Sequence, residues 1–122
     1  MPDVIPYVSG FSSICSAEAA VAHAATFPSR ADDYGPSFRA WLEKGNAVTG
    51  MEYAEAMQRR ATLVGLLRRA FEPIDVLICP PRTPTAYRIT PDELYDSVPE
   101  ATTDTAGRHF NMIFNLIGAP AL

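Results

Sequence analysis

The sequence predicts an α/β fold in which several helices pack on one or a few strands of an incomplete mixed sheet. A long apolar stripe with helical spacing ends near residue 72, and a run of mostly β-branched and aliphatic residues, Ile74–Cys79, follows it. This run is almost continuously apolar rather than alternating, which is typical of an interior parallel strand. Only weak candidates for neighbouring strands occur, at residues 4–8 and 112–117, so the sheet is expected to be incomplete.

The composition indicates a single globular domain. The chain has 122 residues, of which 48% are hydrophobic and 20% are charged. Its net charge of -4 argues against a nucleic-acid-binding protein, which would need clustered Lys and Arg. No apolar run approaches the roughly 20 residues that span a bilayer, and no basic leader precedes an apolar segment. We therefore predict a cytoplasmic protein without a membrane partner.

Two helices are predicted in the first part of the chain. The first covers about residues 13–27, where alanine-rich sequence has high helix propensity. The second covers about residues 34–44, with Pro36 in its first turn and with Gly45 and Asn46 expected to end it.

The most secure helix covers about residues 50–72. Thr49 and Glu52 form a capping-box pattern at its start, and Pro73 ends it. An apolar stripe runs along this helix and predicts its buried face: Tyr53, Met57, Ala61, Val64, Leu67 and Phe71. The predicted strand, residues 74–79, follows directly. A Pro-rich connection (80–104) and a terminal segment (105–122) that is helical in its first part complete the chain.

The order of these elements resembles the C-terminal part of the amidase signature family, which includes bacterial amidases and the amidase component of the glutamyl-tRNA amidotransferase. The resemblance covers most of the chain as one amidase domain fragment. It is carried by Glu18-Ala19, Asp33-Tyr34-Gly35, Tyr53, Arg59-Arg60, Phe71, the run D-V-L-I-C-P at 75–80 and the run F-N-L-I-G-A-P-A-L at 114–122.

The resemblance implies hydrolysis of carbon–nitrogen bonds in linear amides by a Ser, cis-Ser, Lys triad in the complete enzyme. No Gly-Gly-Ser-Ser run exists here, and the single lysine, Lys44, lies at a predicted helix end, in Glu-Lys-Gly-Asn, rather than near a serine cluster. We therefore assign no catalytic residue and no cofactor. The resemblance implies a structural and pocket-wall role, inactivity alone, and a partner that is the missing N-terminal part of the same enzyme. It also implies a small amide substrate and a homodimer of the complete enzyme.

Three residues are the candidates for contact with substrate: Phe110, Phe114 and Asn115. Binding pockets are mostly apolar with few directed polar groups, and these residues offer that combination. Asn115 could equally satisfy the backbone of the Gly118–Pro120 turn. His109, just before them, could approach the same pocket or be a structural histidine.

Other residues have a chemical and a structural interpretation. Cys79 ends the predicted strand and could act as a nucleophile with His23 or His109, although core packing of the thiol is favoured. Asp75 could be a general base or a ligand, but a capping role or pairing with an arginine such as Arg68 or Arg69 is favoured. Cys15 and Cys79 are too far apart for a CxxC or zinc motif.

A different class of function also fits the pattern. The long amphipathic helix could be the docking surface of a small helical protein-interaction module. Such a module would be a well-ordered monomer without an exposed apolar patch.

Overall fold

The computed structural model describes residues 3–80 and 109–120, with side chains from residue 112 onward in the last helix. In these ranges the chain forms five α-helices and one 3-10 helix. Their bounds in chain order are α1 Ile5–Val8, α2 Phe11–His23, the 3-10 helix Ala31–Asp33, α3 Pro36–Ala47, α4 Gly50–Phe71 and α5 His109–Ile117.

The predicted α/β fold is wrong for the described residues, which contain no strand. Residues 4–8 and 112–117, the weak strand candidates, lie largely in α1 and α5. Residues 74–79 are irregular, and the only backbone hydrogen bond they make within the described ranges joins the Ile74 amide to the Phe71 carbonyl, 3.1 Å away. A strand exists only through ladder bonds to a neighbour, so apolar composition alone could not make this run a strand.

The ends of α2 and α3 differ from the predicted ones. Helix α2 begins and ends earlier than the predicted 13–27, and α3 continues to Ala47 through Gly45. A Cβ atom at Gly45 would lie 2.0 Å from the Ser16 carbonyl oxygen. Gly45 therefore allows the two helices to cross closely, and it does not end α3 as the sequence suggested. Leu42 and Ser16 are fully buried at this crossing.

Helix α4 begins with the capping box that the sequence predicted. The Glu52 amide donates to Thr49 Oγ1 at 3.1 Å, and the Thr49 amide donates to Glu52 Oε2 at 2.8 Å. The helix ends at Phe71, close to the predicted residue 72. Pro73 follows because it cannot continue a helix without losing an amide hydrogen bond.

The hydrophobic core lies where α4 meets α1, the start of α2, and α5. Its buried members are Val8, Ile14, Ala56, Leu63, Leu67, Ile113 and Leu116. The buried face of α4 is rotated from the predicted stripe, because Leu63 is fully buried whereas Ala61 is exposed. Tyr53, Met57 and Phe71 from the predicted stripe pack at the edge of this core.

Helix α5 is fixed to α4 and ends in a defined turn. Arg60 Nε donates to the Leu116 carbonyl at 2.5 Å. Beyond the helix, Gly118 has φ 67°, and the Ala119 amide donates to the Phe114 carbonyl at 3.2 Å. This is a Schellman ending, which requires a left-handed residue that glycine adopts without a steric penalty. The turn sets the direction of residues 118–120.

Candidate functional site

A groove lies between the end of α4, the irregular residues after it and the last turn of α5. Its cavity volume is about 860 Å³, in the range of small-molecule sites. The lining is mostly apolar: Val64, Leu67, Arg68, Phe71, Asp75, Val76, Leu77, Ile78, Cys79, Phe114, Ile117, Gly118, Ala119 and Pro120.

Helix geometry explains the first wall of the groove. Val64, Arg68 and Phe71 are spaced by four and three residues, so they lie on one face of α4. Leu67, beside them, is only 1% exposed and belongs to the core. The groove wall is therefore continuous with the core, which holds it in place.

The second wall is the segment after α4. Leu77 and Cys79 are half-buried, whereas Val76 and Ile78 are exposed. All four side chains contribute to the groove lining, but Val76 and Ile78 keep most of their surface in solvent. This wall of the groove is therefore open to solvent.

The third wall contains one of the three predicted substrate contacts. Phe114 is half-buried and lines the groove. Asn115 is exposed and does not line it; its backbone carbonyl, rather than its side chain, accepts from the Gly118 amide at 3.4 Å. The side chains of Phe110 and His109 lie outside the described residues. The three predicted contacts stay predictions, with Phe114 in a position consistent with the role.

The charged groups of the groove are not paired with each other. Arg68 and Asp75 both line it, but neither forms a salt bridge or hydrogen bond with a described residue. Asp75 therefore forms no ion pair with Arg68 or Arg69, the two arginines named for its favoured structural role. As far as the described residues show, the groove combines a large apolar surface with one free cation and one free anion.

The structure does not bring Cys79 and His23 together. Cys79 is a free cysteine in the groove, whereas His23 packs in an aromatic cluster with Tyr34 and Phe38. There, His23 Nδ1 lies 3.1 Å from the Tyr34 hydroxyl. His23 thus contributes to packing between α2 and α3, and the nucleophile interpretation with His23 has no geometric support.

Lys44 contacts one serine side chain. Its Nζ donates to Ser12 Oγ at 2.7 Å and lies 5.3 Å from the centre of the Trp41 ring. The contact is exposed and joins α2 to α3. Because catalytic nucleophiles act in concave sites that limit water, this surface contact supports a structural role.

Sequence reasoning also missed a polar contact between α2 and α4. The Tyr53 hydroxyl donates to Glu18 Oε1 at 3.0 Å, and this bond raises the pKa of Tyr53. One turn earlier in α2, burial raises the pKa of the Cys15 thiol, with a smaller contribution from Glu18. Glu18 and Tyr53 are both among the residues that carry the family resemblance. Because 35 residues separate them in the sequence, no local pattern predicted their contact.

The described residues contain neither a cluster of metal-ligating side chains nor a helix that could cross a membrane. No group of three or more His, Cys, Asp or Glu side chains is arranged to hold a metal ion in the described ranges. Within the same ranges, every helix is too short or too polar to cross a bilayer.

Comparison with known proteins relates the chain to amidases. It is 43% identical over 63 residues to proteins named "Putative amidase AmiD" from Mycobacterium tuberculosis and Mycobacterium bovis. The matched stretch is 52% of this chain but only 13% of each relative's length. No family model matches the chain, and no solved structure matches it. The homology supports a relationship to amidases over about half of the chain.

Proposed function

We propose that the chain is part of an amide-hydrolysing enzyme of the amidase signature type, acting on carbon–nitrogen bonds of linear amides. The observation that carries this proposal is the 43% identity over 63 residues to the mycobacterial relatives. The groove supports it, because an apolar cavity of about 860 Å³ with few polar groups suits a small organic amide.

In this proposal the chain supplies one wall of a substrate pocket. Phe114 would contact the apolar part of the amide, with Phe110 and Asn115 as further predicted contacts. The catalytic Ser, cis-Ser and Lys would come from the N-terminal part of the enzyme, and the chain alone would be inactive. Support for a larger partner comes from the 13% share of the relatives' length that the match covers.

Reconstitution tests this function. The probe is the M. tuberculosis relative with its matching 63-residue stretch deleted, mixed with the full chain. We expect hydrolysis of a simple aryl amide by the mixture and none by the chain alone. Turnover by the purified chain alone would contradict the assigned division of roles, and an inactive but bound mixture would contradict amide hydrolysis.

The pocket-wall role is tested by Phe114→Ala in the same mixture. Phe114 lines the groove, so removing the ring should lower kcat/KM about 10-fold, the size of a modest loss of apolar binding. Val21→Ala is the comparison, since Val21 is 78% exposed on α2 and lies outside the lining, and it should leave kcat/KM unchanged. An unchanged kcat/KM for Phe114→Ala would exclude the proposed contact.

Two further features belong to the proposal. The enzyme would work in the cytoplasm without a cofactor and without contact to nucleic acid, in keeping with the net charge of -4. Assembly of the complete enzyme as a homodimer is also proposed, and sedimentation of the reconstituted mixture would test it.

A helical protein-interaction module is the second candidate function. The observation that favours it is the wholly helical secondary structure of the described ranges, with α4 as its longest element. This function predicts a cooperative melting transition and no binding of an apolar dye. Strong dye binding by the folded chain would contradict it.

A further inference from the structure

A chain of hydrogen bonds joins the last turn of α2 to Tyr34, just before α3. The His23 ring nitrogen Nδ1 lies 3.1 Å from the Tyr34 hydroxyl. The same hydroxyl is hydrogen-bonded to Thr26 Oγ1, and Thr26 Oγ1 donates to the His23 carbonyl at 3.2 Å. The bonds therefore begin and end on the same residue. We call His23, Thr26 and Tyr34 the polar latch.

The direction of each bond in the polar latch follows from its carbonyl end. A carbonyl oxygen can only accept, so the one hydrogen of the Thr26 hydroxyl points to the His23 carbonyl. Thr26 Oγ1 must then accept from Tyr34, and Tyr34, having used its own hydrogen, must accept from His23 Nδ1. The opposite direction would lose one of these bonds, because two oxygens without a hydrogen between them would face each other.

We propose that the polar latch holds the neutral His23 ring with its hydrogen on Nδ1, and that the latch stays closed when this ring is protonated. Acid adds a proton to Nε2, which makes no hydrogen bond to a described residue, so no bond of the latch has to break. Histidine ordinarily changes its charge between about pH 5 and pH 8. The latch should therefore fasten the connection between α2 and α3 on both sides of that change. This proposal is independent of the proposed function.

The charged residues next to the polar latch pair with one another. In the segment before α3, Arg30 Nε donates to Asp33 Oδ2 at 2.6 Å. Arg39 of α3 forms an ion pair with Asp32 at 3.5 Å. Each cation is matched by a carboxylate, so this group adds no net charge beside the His23 ring.

The other charged residues of α2 and α3 lie farther along their helices. Glu18 is five residues before His23, and Glu43 and Lys44 are five and six residues beyond Phe38. The Phe38 ring is the contact of α3 with the His23 ring, with the two ring centres 5.2 Å apart. More than one helical turn separates each of the three charges from this contact. Among the described residues, the bond to Tyr34 is therefore what determines which ring nitrogen carries the hydrogen.

Nitrogen NMR of the full chain tests the direction of the polar latch. The ring nitrogens are followed from about pH 9 to about pH 5, across the range in which histidine titrates. The chain has 2 histidines, and His109→Gln identifies the signals of His23. We expect a hydrogen on Nδ1 alone in the neutral ring and on both nitrogens in acid. A neutral ring with its hydrogen on Nε2 would overturn the proposal, because Nδ1 would then accept from Tyr34.

Tyr34→Phe removes the hydroxyl of the polar latch and keeps the aromatic ring. The Nδ1–H group loses its acceptor, so the share of His23 with its hydrogen on Nδ1 should fall. The melting temperature should fall by about 4 °C, the size expected for one partly buried hydrogen bond. The same fall is expected at about pH 8 and about pH 5, because Nδ1 donates in both states.

Tyr7→Phe is the matched control for the loss of a hydroxyl. Tyr7 is half-buried against the hydrophobic core, and its hydroxyl makes no hydrogen bond to a described residue. Its melting temperature should therefore equal that of the unchanged chain at both pH values. A loss in Tyr34→Phe that disappears in acid would show that protonation opens the polar latch, and a loss no larger than that of Tyr7→Phe would show that no latch exists. Either result overturns the proposal.

Discussion

The crossing of α2 with α3 and the groove at the end of α4 differ in how far their side chains are buried and paired. At the crossing, Leu42 and Ser16 are fully buried, and Gly45 leaves no space for a side chain. At the groove, Val76 and Ile78 are exposed, and Arg68 has no ion-pair partner within the described ranges. The side chains at the crossing are therefore buried by the chain itself, whereas the groove leaves apolar and charged side chains exposed to solvent.

This difference indicates which region supports the fold and which is available for binding. Tight packing leaves little tolerance for added atoms, since protein interiors are as dense as organic crystals. Substitution of exposed side chains in the open groove should alter the stability of the free chain little. Such substitutions should have an effect only on the binding of a ligand or partner. Substitutions in the two regions can therefore break or sharpen the comparison.

The largest effect is expected at the crossing, for Gly45→Ala. The added Cβ would lie 2.0 Å from the Ser16 carbonyl oxygen and 2.6 Å from its carbon, so backbone must move. We expect a loss of about 3 kcal/mol or more in the free energy of unfolding, at the upper end for overpacking. Denaturant titration measures it.

Gly65→Ala is the matched control for this prediction. Gly65 also lies inside a helix, α4, but a Cβ there meets no atom within 4 Å in the described structure. Alanine should therefore stabilise the chain by about 0.5–1 kcal/mol through better helix propensity. Equal effects of both substitutions would show that the crossing is not tightly packed.

The next largest loss of stability is expected on truncation of a buried leucine, and each region contains one. Leu42, 0% exposed, is enclosed at the crossing, and Leu67, 1% exposed, lies beneath the groove. Truncation to alanine typically costs about 2–5 kcal/mol, depending on how far the surroundings close the new cavity. We expect Leu67→Ala to cost less than Leu42→Ala, because the open groove already adjoins Leu67. The reverse order, measured by denaturant titration, would show that the groove is the more rigid region.

Local signals in the sequence predicted much of the helical structure. The Thr49 and Glu52 capping box fixed the start of α4, and Pro36 lies in the first turn of α3 as expected. Such signals act over one helical turn, so neighbouring residues are sufficient to identify them. The substrate contact of Phe114 stays a prediction, and its side chain lies in the groove lining.

The errors arose where distant residues decide the structure. Gly45 was interpreted as a helix stop because its role depends on Ser16, which is 29 positions away in the sequence. The strand prediction at residues 74–79 failed because a strand requires a paired neighbour, which the described ranges do not supply. Likewise, the contacts of Lys44 with Ser12 and of Tyr53 with Glu18 join residues that no local pattern relates.

The smallest change in stability is expected for a substitution in the capping box at the N-terminus of α4, which lies outside both regions. The hydrogen bonds from the Thr49 amide and hydroxyl lower the pKa of Glu52. A carboxyl whose pKa is lowered by folding stabilises the native state above its unfolded pKa, and this contribution is lost as the pH falls through the folded value. We therefore expect the stability difference between the unchanged chain and Glu52→Gln to be present at pH 7 and to shrink below about pH 4, near the ordinary glutamate pKa.

Thermal melts of both proteins from pH 7 to pH 3 measure this difference. Glu55→Gln is the control, since Glu55 lies on the same helix but pairs with Arg59 at 3.6 Å outside the cap. A stability difference for Glu52→Gln that grows as the pH falls would contradict the direction of the pKa shift. Because the cap touches neither the crossing nor the groove, its removal should leave the order of the Gly45, Leu42 and Leu67 effects unchanged.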